Sequence, residues 1–241
     1  MSNFLVYPCK IMRLTQNYKQ GNHQKHYAGK PCDYPIDEAG ADAGRDGFYC
    51  PCDKMVIKKI YGVGGGGVNT VWLESVGKVD MPCGRDKVTI LIEHIEDSDL
   101  KKLRVGQEFS RGQKMFSEGK DGANGNHFHL SVASGEMRGS GWVQNDHGAW
   151  VLCTTGNTLP PEYAFYIDGT KILEGKGLSF SSLPKKQVRL DNTPDSYAIK
   201  AIDWAKKNKI IVGDEQGNLC LHDNITRQDM LVMLWRQNGE S

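Results

Sequence analysis

The chain has 241 residues, of which 24% are charged and 39% hydrophobic, and its formal net charge is +1. These are ordinary globular values, so they argue against a largely disordered chain. A net charge so close to zero provides no strong field to attract nucleic acid or an anionic membrane surface. No run approaches the roughly 18 apolar residues of a transmembrane helix, so we expect no nucleic-acid or membrane partner.

The N-terminus lacks a charged segment followed by a long apolar one, so the sequence predicts no secretory signal and a first location in a cytoplasm. The seven cysteines are too few for a small disulfide scaffold, and in a reducing compartment most are expected to be free thiols. Cys50 and Cys52, together with Cys32 and Cys83, are a weaker candidate for a second zinc site. Their C-x-C spacing is tighter than the usual C-x₂₋₄-C, so core thiols are the default interpretation.

Four runs of alternating apolar residues predict β-strands in the first part of the chain. The runs are Lys54–Tyr61, Val68–Glu74, Lys87–His94 and Phe128–Val132. The glycine-rich segment 62–67 lacks the G-K-[ST] of a phosphate-binding loop, so we interpret it as a hairpin tip. Short strands between turn signals predict an antiparallel sheet or sandwich and the fold class α+β, mainly β.

Three zones are predicted along the chain. Residues 1–140 form the β domain, and residues 141–190 are interpreted as a β extension followed by a linker. Residues 191–241 change period, because Ala198, Ala201, Ile202 and Ala205 fall on one helical face and a second helix is predicted to start at Thr226. The last zone is therefore predicted to be a small helix–loop–helix module, near the lower size limit for folding alone.

The sharpest chemical signal is the pair His127 and His129, which strand alternation places on the same face of a strand. Neutral imidazole is a good zinc ligand, so both histidines could bind a metal, or one could bind while the other handles protons. The alternative is two incidental surface histidines. Upstream, His94 ends an apolar run, and His26 and Asp33 lie near the N-terminus. A histidine and an aspartate added to one member of the pair would give three ligands and an open position, as in a catalytic zinc site.

This order of residues resembles the lysostaphin-like zinc endopeptidases, which cut bacterial peptidoglycan. The resemblance covers about residues 20–135. Val105–Gln113 is similar to the family's V-x-x-G-x-x-V-x-x-G-Q hairpin, and Gly119–His129 is similar to its G-x-x-G-x-H-x-H segment. The resemblance implies a zinc ion held by the side chains of His26, Asp33 and His129.

The same resemblance implies that His94 and His127 orient the water and stabilise the transition state. Two departures from the family pattern leave alternatives open. The family's first motif is H-x-x-x-D, whereas His26 and Asp33 lie seven positions apart, so His23 or Asp37 remain alternative ligands. The family's A-P-x-x-G turn is replaced by Cys50–Lys54.

The C-terminal zone resembles an S-layer-homology repeat, through Ala201–Gly213 and Ile225–Met230. Such repeats usually come in threes and bind secondary wall polymers, but this chain has one. The module is therefore expected either to help target the wall or to form a homo-oligomer with its copy in another chain. A simple packing appendage is the alternative.

Together the two resemblances imply a phage endolysin of a Gram-positive host, with peptidoglycan and a secondary wall polymer as partners. Such a protein stays in the host cytoplasm until lysis and then acts on the cell wall. The alternative is a non-enzymatic wall-binding protein on a decayed peptidase fold. A third interpretation is a bacterial wall-remodelling enzyme exported by another route.

Overall fold

The computed structural model describes residues 3–41, 44–62, 67–184, 192–213, 217–222, 225 and 227–238. The chain divides into two compact units, residues 1–183 and 184–241. The segment predicted as an extension and linker, 141–190, therefore lies within the first unit as far as residue 183. Most of the glycine-rich tip (63–66) and Thr226, the predicted start of the second C-terminal helix, lie outside the described residues.

The first unit is built mainly from strands. They are β1 (Ile11–Gln16), β2 (Ile36–Glu38), β3 (Gly47–Tyr49), β4 (Lys54–Tyr61), β5 (Thr70–Ser75), β6 (Val79–Met81), β7 (Gly84–Asp86), β8 (Val88–Glu93), β9 (Glu108–Ser110), β10 (Lys114–Ser117), β11 (Phe128–Ser134), β12 (Met137–Gln144), β13 (Trp150–Thr154), β14 (Thr158–Leu159), β15 (Tyr166–Ile167), β16 (Lys171–Glu174) and β17 (Ser181–Ser182). The helices are a 3₁₀ turn (Gly21–His23), α1 (Gln24–Ala28), α2 (Asp97–Leu100), α3 (Pro161–Ala164), α4 (Ile199–Lys207) and α5 (Arg227–Gln237). The predicted class, α+β and mainly β, is confirmed.

The principal sheet has the strand order β16-β1-β2-β11-β8-β5-β4-β9, and β14 also pairs with β11. Its pairs are antiparallel except for β1 with β16. Strands β4, β5, β8 and β11 are the four that the alternating runs predict. These four strands are neighbours in the sheet, in the order β11-β8-β5-β4. Strands β5, β8 and β11 bury nearly all of their side chains, because both faces of this part of the sheet are covered.

The two faces of this sheet have different roles. Because alternate side chains share a face, Phe128, Leu130 and Val132 of β11 enter the main core on one side. His129 points to the other side, where a small cluster packs nearby. That cluster contains Trp72, Leu91, Ala133 and Leu152, with Trp142 of β12 against it. The histidine site therefore lies on a sheet face that the β12–β13 hairpin covers only in part.

A substitution at Phe48 tests the packing of the main core without changing any residue of the histidine cluster. It is fully buried, stacked on Phe116 with ring centroids 5.0 Å apart and edge-on to Phe128 at 5.4 Å. We expect Phe48→Ala to lower the free energy of unfolding by about 3–5 kcal/mol, because it removes ring contacts and leaves a cavity. Urea denaturation measures the change. Val105→Ala, at a side chain that is 64% exposed, is the control and should stay within about 0.5 kcal/mol. Equal losses in the two variants would contradict the assignment of this core.

In the described part of the chain, none of the helices has the length and apolar character needed to cross a membrane. All seven cysteines are free thiols. Cys50 and Cys52 are buried, and the Cys50 thiol contacts the carbonyl oxygens of Cys52 and Phe109 at 3.3 Å. This pair therefore packs as core thiols.

Candidate metal centre

Three side chains from three elements converge on the open face of the principal sheet. Asp37 of β2 lies directly opposite His129 of β11 in the antiparallel register, so the two side chains share a face. His23 ends the 3₁₀ turn that follows β1, the strand paired with β2 on its other side. Sheet register and one tight turn thus bring together residues that are up to 106 positions apart in the sequence.

The ligand atoms of these residues form a nearly equilateral triangle. His23 Nε2 lies 3.3 Å from Asp37 Oδ1, His129 Nδ1 lies 3.1 Å from the same oxygen, and the two nitrogens are 3.2 Å apart. Zinc binds histidine nitrogen and carboxylate oxygen at about 2.0–2.2 Å in tetrahedral geometry, which sets neighbouring ligands about 3.3–3.6 Å apart. The triangle therefore fits one face of a zinc tetrahedron, with a fourth position open.

Hydrogen bonds alone do not satisfy all three sides of this triangle. If both imidazole nitrogens donate to Asp37 Oδ1, the side between His23 and His129 joins two donors. If one nitrogen instead accepts from the other, it has no proton for the carboxylate. A cation at the centre turns all three atoms into ligands, so the donor set fits a divalent metal better than it fits a proton network.

The main-chain carbonyl of Asn17 sets the tautomer of the neutral His23 ring. His23 Nδ1 lies 3.3 Å from the Asn17 carbonyl oxygen, which can only accept, so Nδ1 carries the proton in the neutral ring and Nε2 keeps its lone pair. Asn17 is itself fixed, since its amide donates to the Lys176 carbonyl at 2.8 Å and its side-chain oxygen accepts from the Lys19 N–H at 2.8 Å. The ring is thus held in the orientation and tautomer that a metal ligand needs.

Electrostatics keep the Asp37 carboxylate ionised. Burial favours its neutral form, but hydrogen bonds with His129 and His23 hold the pKa of Asp37 well below its usual range. Burial alone would lower the pKa of His129, whereas the hydrogen bond with Asp37 and the charge of Glu93 raise it to about 9. Without a metal, His129 and Asp37 therefore behave as an ion pair, and a divalent cation bound by both would displace the proton from His129 Nδ1.

Two further imidazoles, those of His94 and His127, lie beside the triangle. Their ring centroids are 4.5 Å apart, and His127 Nε2 is 3.8 Å from Asp37 Oδ1. His94 Nδ1 is 2.8 Å from the Asp121 carbonyl oxygen and His127 Nδ1 is 2.9 Å from that of Gly125. Each carbonyl accepts a hydrogen bond from an Nδ1–H, and in this tautomer each ring presents Nε2 as a proton acceptor. Burial lowers the pKa of His94, which favours this neutral form.

The backbone at His94 is held in an uncommon conformation. Its φ is +68°, in the left-handed region that costs a β-carbon-bearing residue about 1–3 kcal/mol. Gly119 packs directly against the main chain of His94. A β-carbon added at Gly119 would lie only 2.1 Å from the His94 carbonyl oxygen, so there is no room for a larger residue. Gly119 also accepts from the backbone N–H of His127 at 3.0 Å. The glycine thus joins the ends of the two segments that carry these imidazoles.

The predicted ligand His26 lies near the triangle but outside it. Its ring centroid is 6.2 Å from that of His23 and 5.9 Å from that of His129. Burial and the neighbouring rings of His129 and His23 lower the pKa of His26 to about 4, so the ring is neutral. Its Nδ1 is buried without a hydrogen-bond partner. His23 ends the 3₁₀ turn and His26 lies in α1, and both side chains line the cleft, but only His23 reaches the triangle.

The predicted ligand Asp33 faces the scaffold instead. It is 2% exposed, and its carboxylate accepts from the backbone N–H of Tyr34 at 2.8 Å and of Leu152 at 3.1 Å. These two hydrogen bonds connect β13 to the segment before β2. Burial raises the pKa of Asp33, with these hydrogen bonds opposing the rise.

Among the described residues, two groups of three potential ligands have their atoms within 4.8 Å of one another. One is His23, Asp37 and His129, and the other is Glu93, His94 and His129. Neither contains His26, Asp33 or a cysteine. The structure thus retains His129 from the predicted ligand set and brings the two sequence alternatives, His23 and Asp37, to the positions assigned to His26 and Asp33. It places His94 and His127 beside that group.

An open cleft of about 510 Å³ surrounds the histidines. Its lining consists of the site residues, the end of β1 and the loop that precedes β11: Thr15, Gln16, Asn22, His23, His26, Asp37, Ala39, His94, 122–126, His127 and His129. Asn17, whose carbonyl orients His23, was not singled out from the sequence. The sequence gives no signal for Asn17, because this residue contacts His23 through its main-chain carbonyl and not through its side chain.

No protein-family model matches the chain, and no curated protein matches it with significant similarity. Among solved structures, the chain is similar in part to a zinc-containing peptidase from Vibrio cholerae, with a TM-score of 0.34 and 17% identity. The match covers 54% of this chain and 36% of that one. The chain thus spans about a third of that protein's length.

His26 and Asp33 allow the two ligand sets to be separated by experiment. We expect His26→Ala to keep its zinc, because His26 lies outside the triangle. We expect Asp33→Asn to keep its zinc as well but to lose about 1–3 kcal/mol of unfolding free energy, because the amide replaces one of two buried acceptor oxygens. Metal analysis of purified protein and urea denaturation measure both effects. Loss of zinc from folded His26→Ala would support the set carried over by resemblance.

Proposed function

We propose that the first unit is a zinc-dependent hydrolase that cleaves a peptide bond of bacterial peptidoglycan, in the manner of a phage endolysin. The observation that carries the proposal is the triangle of His23 Nε2, Asp37 Oδ1 and His129 Nδ1, with sides of 3.1–3.3 Å, beside two more imidazoles. Two histidines and a carboxylate with an open fourth position are a catalytic donor set.

The chemistry of the site follows from this donor set. When bound, a zinc ion supplies a Lewis acid that lowers the pKa of a water molecule towards neutrality and polarises a carbonyl group. His127, the nearer of the two free imidazoles to Asp37, accepts the proton of the attacking water at Nε2. The resulting imidazolium then donates from Nε2 to the departing amine nitrogen. His94, whose Nδ1–H is held by the Asp121 carbonyl, lines the same cleft and presents its Nε2 lone pair, which accepts a hydrogen bond from the attacking water and orients it.

Peptidoglycan as the substrate is supported by the sequence resemblance over residues 20–135 and by the resemblance of the C-terminal module to a wall-binding repeat. The open cleft also suits an extended peptide better than a small enclosed ligand, since its lining leaves one side accessible. On this proposal the protein acts on the cell wall once lysis has released it from the host cytoplasm. A secondary wall polymer remains the proposed second partner.

Loss of turbidity of purified Gram-positive cell walls tests this function. We expect clearing that releases free amino groups without new reducing sugars, that stops with a zinc chelator such as 1,10-phenanthroline, and that returns on adding zinc. His147→Ala, at an exposed histidine outside the site, is the matched control and should clear walls normally. A clearing rate that is the same with and without the chelator would exclude the zinc mechanism. Binding to walls with no release of amino groups would support the non-enzymatic alternative.

A further inference from the structure

His26 is an imidazole of the cleft that neither completes the triangle nor has its Nδ1 against a carbonyl. Its ring centroid lies 6.2 Å from that of His23 and 5.9 Å from that of His129. Its Nδ1 is buried and, within the described part of the chain, has no hydrogen-bond partner. Buried polar atoms are nearly always paired in folded proteins, and an exception is a candidate for a catalytic role.

The neighbouring histidines show what His26 lacks. Nδ1 of His23, of His94 and of His127 each lies within 3.3 Å of a main-chain carbonyl oxygen. The carbonyl holds the proton on Nδ1 and leaves a lone pair on Nε2, which suits a metal ligand or a proton acceptor. None of the described residues offers such an acceptor to Nδ1 of His26. The environment of His26 therefore does not prepare its Nε2 as a further proton acceptor.

The same environment selects the tautomer of the His26 ring. A neutral imidazole carries one N–H and one lone pair. A proton on Nδ1 would be a buried donor without an acceptor, and such N–H groups are rare in proteins. The ring is half-buried and lines the cleft, so a proton on Nε2 can instead be met by water or by a ligand. His26 thus presents an N–H donor to the cleft, whereas His94 and His127 present lone pairs.

The position of His26 indicates what this donor meets. Its ring contacts the rings of His23 and His129, which are two corners of the triangle, whereas the rings of His94 and His127 contact each other. A peptide carbonyl group that reaches the triangle therefore enters a cleft with two proton acceptors and one neutral donor. During hydrolysis, negative charge develops on the carbonyl oxygen, and an N–H donor directed at that oxygen stabilises the transition state.

We propose that His26 donates a hydrogen bond from Nε2–H to the scissile carbonyl oxygen as negative charge develops there, which makes it a further catalytic residue. The proposal rests on the proposed hydrolase function and deepens it, because it assigns the donor that His94 and His127 do not supply. The proton stays on Nε2 of His26 throughout, so the step adds no proton transfer to the reaction.

Two substitutions of similar size at position 26 test this role. His26→Gln keeps an amide N–H that reaches about as far as imidazole Nε2, whereas His26→Leu fills the space without a donor. We expect both variants to keep a full equivalent of zinc. His26→Leu should lower kcat by about 10²–10³-fold with little change in KM, the usual effect of losing one such donor, and His26→Gln should recover at least about tenfold of that loss.

The comparison of kcat separates a donor from a packing residue. His147→Ala, at an exposed histidine outside the cleft, is the control and should keep the natural kcat. A natural kcat in His26→Leu would overturn the proposal. An equal loss in the glutamine and leucine variants would also overturn it, because it would assign His26 to packing.

A second measurement identifies the tautomer without any assay of activity. Long-range proton–nitrogen NMR spectra of the isotope-labelled full chain distinguish Nε2–H from Nδ1–H, and the signals are assigned by their loss from single alanine variants. We expect Nε2–H at His26 and Nδ1–H at His94 and His127. Nδ1–H at His26 would overturn the proposal even if the natural chain clears walls. A natural chain that shows the expected tautomers but clears no walls would instead contradict the hydrolase function, and this role with it.

Discussion

His23→Ala, Asp37→Ala and His129→Ala should each abolish stoichiometric zinc binding and reduce wall clearing by at least about a thousandfold. Each variant removes one corner of a triangle whose sides are 3.1–3.3 Å, leaving two ligands where three are needed. Metal analysis after dialysis and the initial rate of turbidity loss are the two measurements. Thermal unfolding of the metal-free forms shows whether the fold is retained, since Asp37 and His129 also pair two central strands.

Two comparisons make this result specific. His147→Ala removes an exposed histidine outside the site and should keep both zinc and activity. His26→Ala removes a neutral imidazole that lines the same cleft but is not a corner of the triangle, and it should keep zinc. If Asp37→Ala held a full equivalent of zinc while His26→Ala lost it, the triangle would not be the metal site.

His127→Ala and His94→Ala should keep a full equivalent of zinc and lose activity by about 10²–10⁴-fold, the usual size of a general acid–base contribution. The expected cause is the loss of the Nε2 acceptors that the carbonyls of Gly125 and Asp121 leave free. The assay compares kcat with KM on solubilised wall fragments, and we expect the fall to appear mainly in kcat. His127→Ala should show the larger loss, because His127 lies within 3.8 Å of Asp37 Oδ1.

Two outcomes would contradict these roles. Rates within threefold of the natural chain for both variants would leave the two imidazoles without a catalytic role. Loss of zinc from either variant would instead make that residue a ligand.

Much of the fold can be predicted from local patterns. The run Lys54–Tyr61 coincides with β4, and the run Lys87–His94 contains β8, because each strand buries alternate or continuous apolar side chains that are visible in the sequence. The HxH spacing correctly places His129 in a strand, with His127 directly before it. The helical period after residue 197 predicts α4, which spans Ile199–Lys207. These features depend on neighbours in sequence, so one chain is enough to reveal them.

The histidines and aspartates available to a metal could also be recognised from the sequence by their chemistry. The sequence did not show which of them come together at one site. Asp33 and Asp37 are four positions apart and have the same functional group. The pairing of β2 with β11 sets Asp37 opposite His129, while Asp33 turns to the N–H groups of Tyr34 and Leu152. His23 and His26 differ in the same way: His23 ends the 3₁₀ turn and provides a corner of the triangle, whereas His26 lies in α1 and does not. The sequence by itself determined four central strands of the principal sheet, the fold class and the candidate side chains. Only the tertiary structure decided which of them meet, because register and long-range pairing set the positions of ligand atoms to within the few tenths of an ångström that metal binding requires.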